Sequence, residues 1–501
     1  MLNETIIATI GNFEGLDESL IPGTNPRRTR SLEGVEVRNG RVISLKGTAK
    51  YRGITATSAT TPILGLMQHQ GSDLATSVLR ITPTAVHKLN TATDVWDDVT
   101  GTALTGATTD LPPQSDMHKG VLIFTNDGQD RPRKYTNSGN TAVLLGTPPF
   151  CKSLVSYLDF LILFNIATVD GTFQPRTARY SNDYDNDWSL CEGNELTFNE
   201  TAGELNCAKR VGNVIVVGKS DNINQLRYVG HPTRFFQEPL KFDQGVLAPR
   251  SMATVANSGV IFLATDLQLY GCDGQTVKPL PPRVQRKLQS TMDITQAKWA
   301  VGTAFPDSDV YHFMYPTSST DTANRGRISY NFRTGEFYHR TYAGHQFTDI
   351  MEFRLSNITS NLLIASASDD RVYQLDAADD DDDGTKVDRF YDTDWQHVGL
   401  GYFTGANCMF RRRRDVRVSV SVAKDYSDKF MYERMYDLRG DVGKEDIMVQ
   451  YRVPQPVLGS AFNLRVKFFH DGTANQGELW AIQLKGAPAP GEARPAVMTA
   501  P

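Results

Sequence analysis

Most of the features by which function is read from sequence are missing from this 501-residue chain. There are five cysteines, Cys151, Cys191, Cys207, Cys272 and Cys408, with no Cys-x-x-Cys pair among them. An odd, unpaired set argues against a disulfide framework or a zinc site and for folding in an intracellular compartment. No window reaches the ~18 apolar residues that a membrane span requires. The opening "MLNETIIATIGNFEG" lacks a basic n-region and does not read as a signal peptide. Positive charge is not in excess: the net charge is −5. No global attraction therefore draws the chain to nucleic acid or anionic lipid, and any DNA contact would be a local patch or confinement rather than groove reading. No GxSxG, HExxH, Walker A or GxGxxG stretch is present. The nine histidines are scattered and read as structural or exposed. No catalytic residue, metal ligand or cofactor is expected.

Sustained helical periodicity is also scarce, and the best helical stretch, "PRVQRKLQSTM" (Pro282 to Met292), is short. Turn formers are plentiful, with 40 Gly and 24 Pro. Between them lie short apolar runs: "VLIFTN", "LDFLILFN", "VGNVIVVG", "SGVIFLAT", "DVYHFMYP" and "NLLIASAS". Each has the length and boundaries of a strand. Along the chain a unit of strand, polar turn and a further apolar strand recurs after such runs. The markers of the last strand are Trp96, Val143, Trp188, Phe236, Val277 and Phe337. Their period of roughly 40 to 50 residues, with hairpin-rich units, is the signature of a β-propeller.

The expected fold is all-β, a β-propeller of about six blades over residues 51–376 with a smaller C-terminal β domain at 387–486. The rival is a set of β-sandwiches with accidental spacing. A seventh fragment, "NLLIASASDDRVYQLD", and the N-terminal "GRVISLKGTAKYRG" each look like strands without a partner. Residues 1–50 are therefore expected to contribute to ring closure or to a platform, which removes open edges. Residues 377–386 read as an acidic loop and 487–501 as a disordered Ala/Pro tail.

Three clusters are candidate sites. "YSNDYDNDWS" alternates Asp183, Asp185 and Asp187 as a calcium loop does. An EF-hand needs Gly at its sixth position and Glu at its twelfth, where this chain has Trp188 and Asn194. The string is similar instead to an Asp-box, the Ser-x-Asp-x-Gly-x-Thr-Trp blade turn, with Ser181, Asp183 and Trp188 matching and Asp185 and Asp187 replacing Gly and Thr. A structural turn is the expected role, through Asx-type hydrogen bonds. The second cluster, Arg411, Arg412, Arg413 and Arg414, reads as an interface, as a solvated strand start or as a phosphate contact. The third, Asp379, Asp380, Asp381, Asp382 and Asp383, reads as a solvated loop, because like charges repel, and as a conceivable partner for the arginines.

Four segments carry a family resemblance: "GVEVRNGRVISLKGTAKYRG", "PRTARYSNDYDNDWS", "YAGHQFTDIMEFRLSNITSNLLIASASDDRVYQLD" and "PVLGSAFNLRVKFFHDGTANQGELWAIQL". With their layout, the chain resembles the tail nozzle proteins of short-tailed bacteriophages, also called packaged-DNA stabilisation or tail hub proteins. The resemblance implies a virion structural protein of the tail, not an enzyme, assembled in the host bacterial cytoplasm. It implies a homohexameric ring below the portal and a head–tail adaptor ring, further contacts with fibre, spike or needle components, and passage of double-stranded DNA without sequence reading. The alternative is a carbohydrate-binding or glycosidase-type propeller, such as a receptor-binding tail protein. That alternative would need an arginine cluster, for which Arg176, Arg179, Arg227 and Arg250 are the candidates, together with a nucleophile beside an acid.

Overall fold

In the computed structural model, the described residues are 5–19, 21–52, 61–71, 76–107, 112–137, 141–167, 171–181, 194–255, 259–305, 309–321, 323–356, 359–377, 381–411, 416–438, 446–470 and 476–488. The apolar runs of the sequence become the second strands of successive antiparallel blades. Phe160–Ala167 is buried along its whole length, and so is Gly259–Leu263. A strand covered on both faces by neighbouring blades has no solvent side, so its sequence is continuously apolar rather than alternating.

There are seven four-stranded blades, one more than the sequence spacing suggests. Their innermost strands are Gly65–Gln70, Gln114–His118, Cys151–Tyr157, Leu205–Val211, Ala253–Val255, Val301–Phe305 and Phe347–Ser356. Each packs against the next, and the seventh packs against the first, which closes the ring. The markers Trp96, Val143, Phe236, Val277 and Phe337 fall in the outermost strands of blades 1, 2, 4, 5 and 6. Trp188 lies outside the described residues; the outermost strand of blade 3 is Glu195–Thr197. The seventh blade is missed by counting because its outermost strand is Ala49–Lys50, paired with Val372–Gln374 from more than three hundred residues later. The only α-helix among the described residues is Gln285–Thr291, inside the stretch read as helical. None is long and apolar enough to cross a membrane.

All but two of the remaining described strands build one ten-stranded sheet, here called the platform. The C-terminal segments Phe390–Asp392, Gln396–Arg411, Val416–Lys424, Met431–Asp437, Asp446–His470 and Glu478–Pro488 supply six strands. The N-terminal segments Thr5–Gly11, Leu32–Glu33, Val35–Arg38 and Arg41–Ser44 supply four. The C-terminal β region is thus completed by the N-terminus: Thr5–Gly11 pairs with Glu478–Pro488, and Leu32–Glu33 with Phe390–Asp392. Strand Val416–Lys424 keeps the alternation of its sequence, with Val416, Val418, Val420 and Val422 all buried in the platform core beside Phe410, Tyr451 and Phe468. The last strand runs to Pro488, so residues 487 and 488 belong to the sheet rather than to the tail; residues 489–501 lie outside the described residues.

Candidate functional site

The axis of the propeller is the first place to look for chemistry, because all seven innermost strands converge there. A cavity of 170 Å³ sits on it, lined by Gln68, Gln114, Ser115, Lys209, Arg250, Met252, Gly302 and Asp349 among others. Two of its charged groups are engaged with each other. Arg250 Nη2 lies 2.6 Å from Asp349 Oδ1, with both side chains nearly buried. Asp349 Oδ2 accepts from the backbone N–H of Leu66 at 2.7 Å. One carboxylate therefore joins the start of blade 5, blade 7 and blade 1. Asp116 acts similarly between blades 2 and 3, accepting from Ser156 N–H at 2.7 Å. Burial pushes its carboxyl above the usual range, opposed by the Ser156 N–H and by Lys209. A carboxylate whose lone pairs are filled by neighbouring strands works as a stitch between blades. The cavity is also smaller than the roughly 300–1,000 Å³ of small-molecule pockets.

A second concentration of charge lies where blade 6 meets the platform. The outermost strand of that blade, Glu336–Thr341, is covered by the N-terminal strands rather than by solvent: Gly34 N–H donates to His339 O at 3.1 Å, and Leu16 N–H to Phe337 O at 2.8 Å. His339 Nδ1 pairs with Glu33 Oε2 at 2.7 Å, and its Nε2 with Tyr315 OH at 2.9 Å. Tyr315 OH continues to Thr291 Oγ1 at 3.1 Å. This carboxylate–imidazole–hydroxyl chain has the order of a catalytic relay. His339 and Tyr315 are buried, however, so the chain serves as a polar tie in the interior. Burial acts to raise the Glu33 carboxyl, but the bonds from His339 and Thr341 outweigh it and hold the group low.

The described part of the acidic run belongs to the same junction, and for Asp382 this corrects the reading of a solvated loop. Asp379 and Asp380 lie outside the described residues. Asp381–Asp382 pairs with Thr385–Lys386 as a two-stranded hairpin. Asp382 is 2% exposed. Its Oδ1 accepts from Thr48 N–H at 3.0 Å, from Thr48 Oγ1 at 2.9 Å and from the buried Arg340. Asp383 pairs with Lys50 at 2.8 Å. Gly47 permits the approach, since a Cβ there would stand 1.8 Å from Asp381 O. Among the described residues, the partners of Asp382 and Asp383 are thus Arg340 and Lys50.

Arg411 ends its platform strand 3.5 Å from Glu478 of the neighbouring strand; Arg412, Arg413 and Arg414 lie outside the described residues. Ser181 is buried at the end of the third strand of blade 3, where its Oγ accepts from Leu161 N–H at 2.9 Å. Asp183, Asp185, Asp187 and Trp188 lie outside the described residues. The four arginines considered for a carboxylate clamp are dispersed. Arg179 pairs with Glu195 within blade 3, Arg227 stacks on Phe236 of blade 4, Arg250 lies at the axis and Arg176 is exposed on blade 3. No group of three His, Cys, Asp or Glu side chains among the described residues is arranged to hold a metal ion.

Two acids raised by burial make the junction pH-sensitive, and one of them is Glu336 on the outermost strand of blade 6, pushed up to about 7. Burial pushes Glu36, on platform strand Val35–Arg38, up to about 7. Arg38 Nη2 stands 2.6 Å from it, and this favourable charge is outweighed. A carboxyl raised in the folded state contributes its full stability below its unfolded value, near 4.5, and loses it as pH climbs through about 7. The melting temperature is expected to fall between pH 5 and pH 8, and Glu36→Gln should flatten that fall. The contribution is on the order of 3 kcal/mol, and thermal melts of both proteins across this range measure it.

No family model matches the chain, and no curated protein does. Solved propeller structures do resemble it. The WD40 domain of Pan2 from Neurospora crassa has a TM-score of 0.39 at 9% identity, over 66% of this chain and 95% of that one. Ycf48 from Cyanidioschyzon merolae has a TM-score of 0.40 at 10% identity, over 65% of this chain and 99% of that one. The extracellular domain of a putative hybrid two-component system from B. thetaiotaomicron has a TM-score of 0.39 at 10% identity, over 74% of this chain and 44% of that one. At these TM-scores the likeness carries no argument, and the seven-bladed architecture stands on the strand pairing itself.

Proposed function

We propose that this chain is a structural ring component of a short-tailed phage tail, the nozzle that continues the DNA path below the portal and adaptor and helps retain packaged genome. The observation that carries the reading is the threading of the chain. The N-terminus begins in the platform, closes blade 7 with Ala49–Lys50, runs through the whole propeller and returns to complete the same platform sheet. The propeller is thereby held at both ends, and its outermost strand in blade 6 is capped by the N-terminal strands. A closed ring of blades tied to a sheet in this way resists shear, which suits a part that bears internal pressure.

The self-neutralised axis supports the same reading. With Arg250 and Asp349 paired across 170 Å³, the propeller axis is too small to pass a duplex. DNA would travel through the opening enclosed by six copies rather than through any one propeller. The partners in this reading are further copies of the chain, the adaptor ring and the fibre, spike or needle components, and the site of action is the virion tail.

Quantitative mass spectrometry of purified particles tests the proposal by counting this chain against the portal subunit. About one copy per two portal chains is expected for a six-fold ring on a twelve-fold portal. Absence from particles would overturn it, and glycan binding and cleavage by the purified chain would then support the carbohydrate-directed alternative.

A further inference from the structure

The outer face of the platform sheet carries cations without acids beside them. Four neighbouring strands form it, in the order Asp446–His470, Gln396–Arg411, Glu478–Pro488 and Thr5–Gly11. Their only acids are Asp446 and Glu478, both in the row of Arg411 at one end of the sheet. Ala406, Cys408, Tyr451, Ile482 and Leu484 are buried on the core side, so their sequence neighbours point outward. One outward row is Gln450, Asn407, Gln483 and Thr9, three amides and a hydroxyl side by side. The next is Arg452, Gly405 and Lys485. The backbones of Arg452 and Lys485 lie two strands apart, about 10 Å, but their heads converge. With its amide oxygen turned toward them, Gln450 accepts from Lys485 Nζ at 2.9 Å and from Arg452 Nη2 at 3.3 Å. Gly405 makes this reach possible. A Cβ there would stand 2.2 Å from Tyr451 O, so the position takes glycine and no side chain rises between the cations. Neither cation forms an ion pair among the described residues.

We propose that Arg452 and Lys485, with the Gln450 amide, form a binding site for a phosphate group on the outer face of the platform. Two full positive charges share one neutral oxygen, which leaves their mutual repulsion uncompensated. A phosphate in the same place would accept charge-assisted hydrogen bonds from both heads. The Gln450 amide can then turn and offer its NH2 as a further donor. A phosphate dianion balances both cations, whereas a carboxylate balances only one. The arginine fork suits two phosphate oxygens, and the lysine acts as a point charge beside them. The phosphate can belong to a small anion or to a nucleic-acid backbone, since the chemistry at the site is the same. The inference stands on the platform geometry and does not rest on the nozzle reading.

Isothermal titration of the full-length chain with inorganic phosphate tests it, in low salt at about pH 7.5, where phosphate is chiefly dianionic. Saturable one-site binding in the millimolar range is expected. Arg452→Gln and Lys485→Gln should each weaken it about tenfold or more, the worth of one hydrogen bond to a charged group. Gln450→Glu puts a carboxylate where the anion would sit. It should abolish binding without lowering the melting temperature, so loss of the fold is not mistaken for loss of the site. Arg227→Gln, on the far blade 4, should leave binding unchanged. A mixed-sequence DNA duplex that displaces phosphate assigns the nucleic-acid backbone as its source. A duplex that fails where a phosphate monoester succeeds assigns a small anion. No saturable binding, binding that survives Gln450→Glu, or equally tight binding of acetate (which would assign a carboxylate) would overturn the proposal.

Discussion

Replacing Asp382 with alanine is expected to destabilise the protein by about 3–5 kcal/mol, the usual cost of removing one partner from a buried ion pair. Asp382 is where three parts of the chain meet. It receives the Thr48 N–H and hydroxyl from the segment that enters blade 7, and Arg340 from the outermost strand of blade 6. Arg340 is 1% exposed and would keep the half-exposed Asp376, at 3.3 Å, the carbonyl of Lys46, at 2.7 Å, and the ring of Tyr342, but no buried carboxylate in direct contact. The Thr48 hydroxyl would lose its acceptor in the interior, which adds to the penalty, while the Thr48 amide keeps the carbonyl of Asp381 at 3.1 Å. Because Thr48 precedes Ala49–Lys50, loosening it should also release the outermost strand of blade 7. Urea denaturation of wild type and Asp382→Ala measures the loss. Asp381→Ala is the matched control: its carboxylate accepts from Gly384 N–H at 3.0 Å on the exposed side of the hairpin, so its loss should cost less than about 1 kcal/mol. Equal stability of the two variants would remove Asp382 from its proposed role.

A second large effect is expected at the propeller axis. Asp349→Ala would leave Arg250 without its carboxylate and Leu66 N–H without its acceptor. The predicted loss is again about 3–5 kcal/mol. Asp349→Asn separates the two contributions. Its amide oxygen can still accept from Leu66 while the charge facing Arg250 is gone, so a smaller loss is expected. Hydrogen exchange adds a local readout, since the Leu66 amide should lose protection in the alanine variant and largely retain it in the asparagine variant. If both variants match wild type in urea midpoint, the seam between blades 7 and 1 is held by apolar packing instead. The cluster of Leu66, Val78, Phe353 and Leu363 would be the next to test.

How much of this was legible in the sequence depends on the range over which each contact acts. Runs such as "LDFLILFN" and "SGVIFLAT" announced second strands, because a strand buried on both faces must be apolar throughout. The outermost-strand markers located five of the seven blades for a similarly local reason: a hairpin-rich unit carries its own turns and its own last strand. One judgement failed, at Asp382, where the deciding partner is distant. Five consecutive aspartates read as solvated when only their mutual repulsion is visible. Arg340, which lies 42 residues from Asp382 along the chain, reverses the sign of that argument. The histidines read as scattered, and nothing near His339 signals that Glu33 and Tyr315 will meet it. The arginine cluster expected of a glycosidase-type propeller was also a matter of distance, and the fold spreads those four residues over the axis and separate blades.

The sequence by itself determined the fold class, the antiparallel hairpin unit, the turn positions and the scarcity of helix, all of which rest on short-range periodicity and local backbone preference. Only the tertiary structure decided that there are seven blades, that Ala49–Lys50 completes the last of them, and that the N- and C-terminal strands form one sheet. It also decided which charges are buried and paired. The physical reason is the same in each case. Ring closure, sheet completion and ion pairing join residues distant along the chain, and their energies depend on burial and on the opposing partner rather than on sequence neighbours.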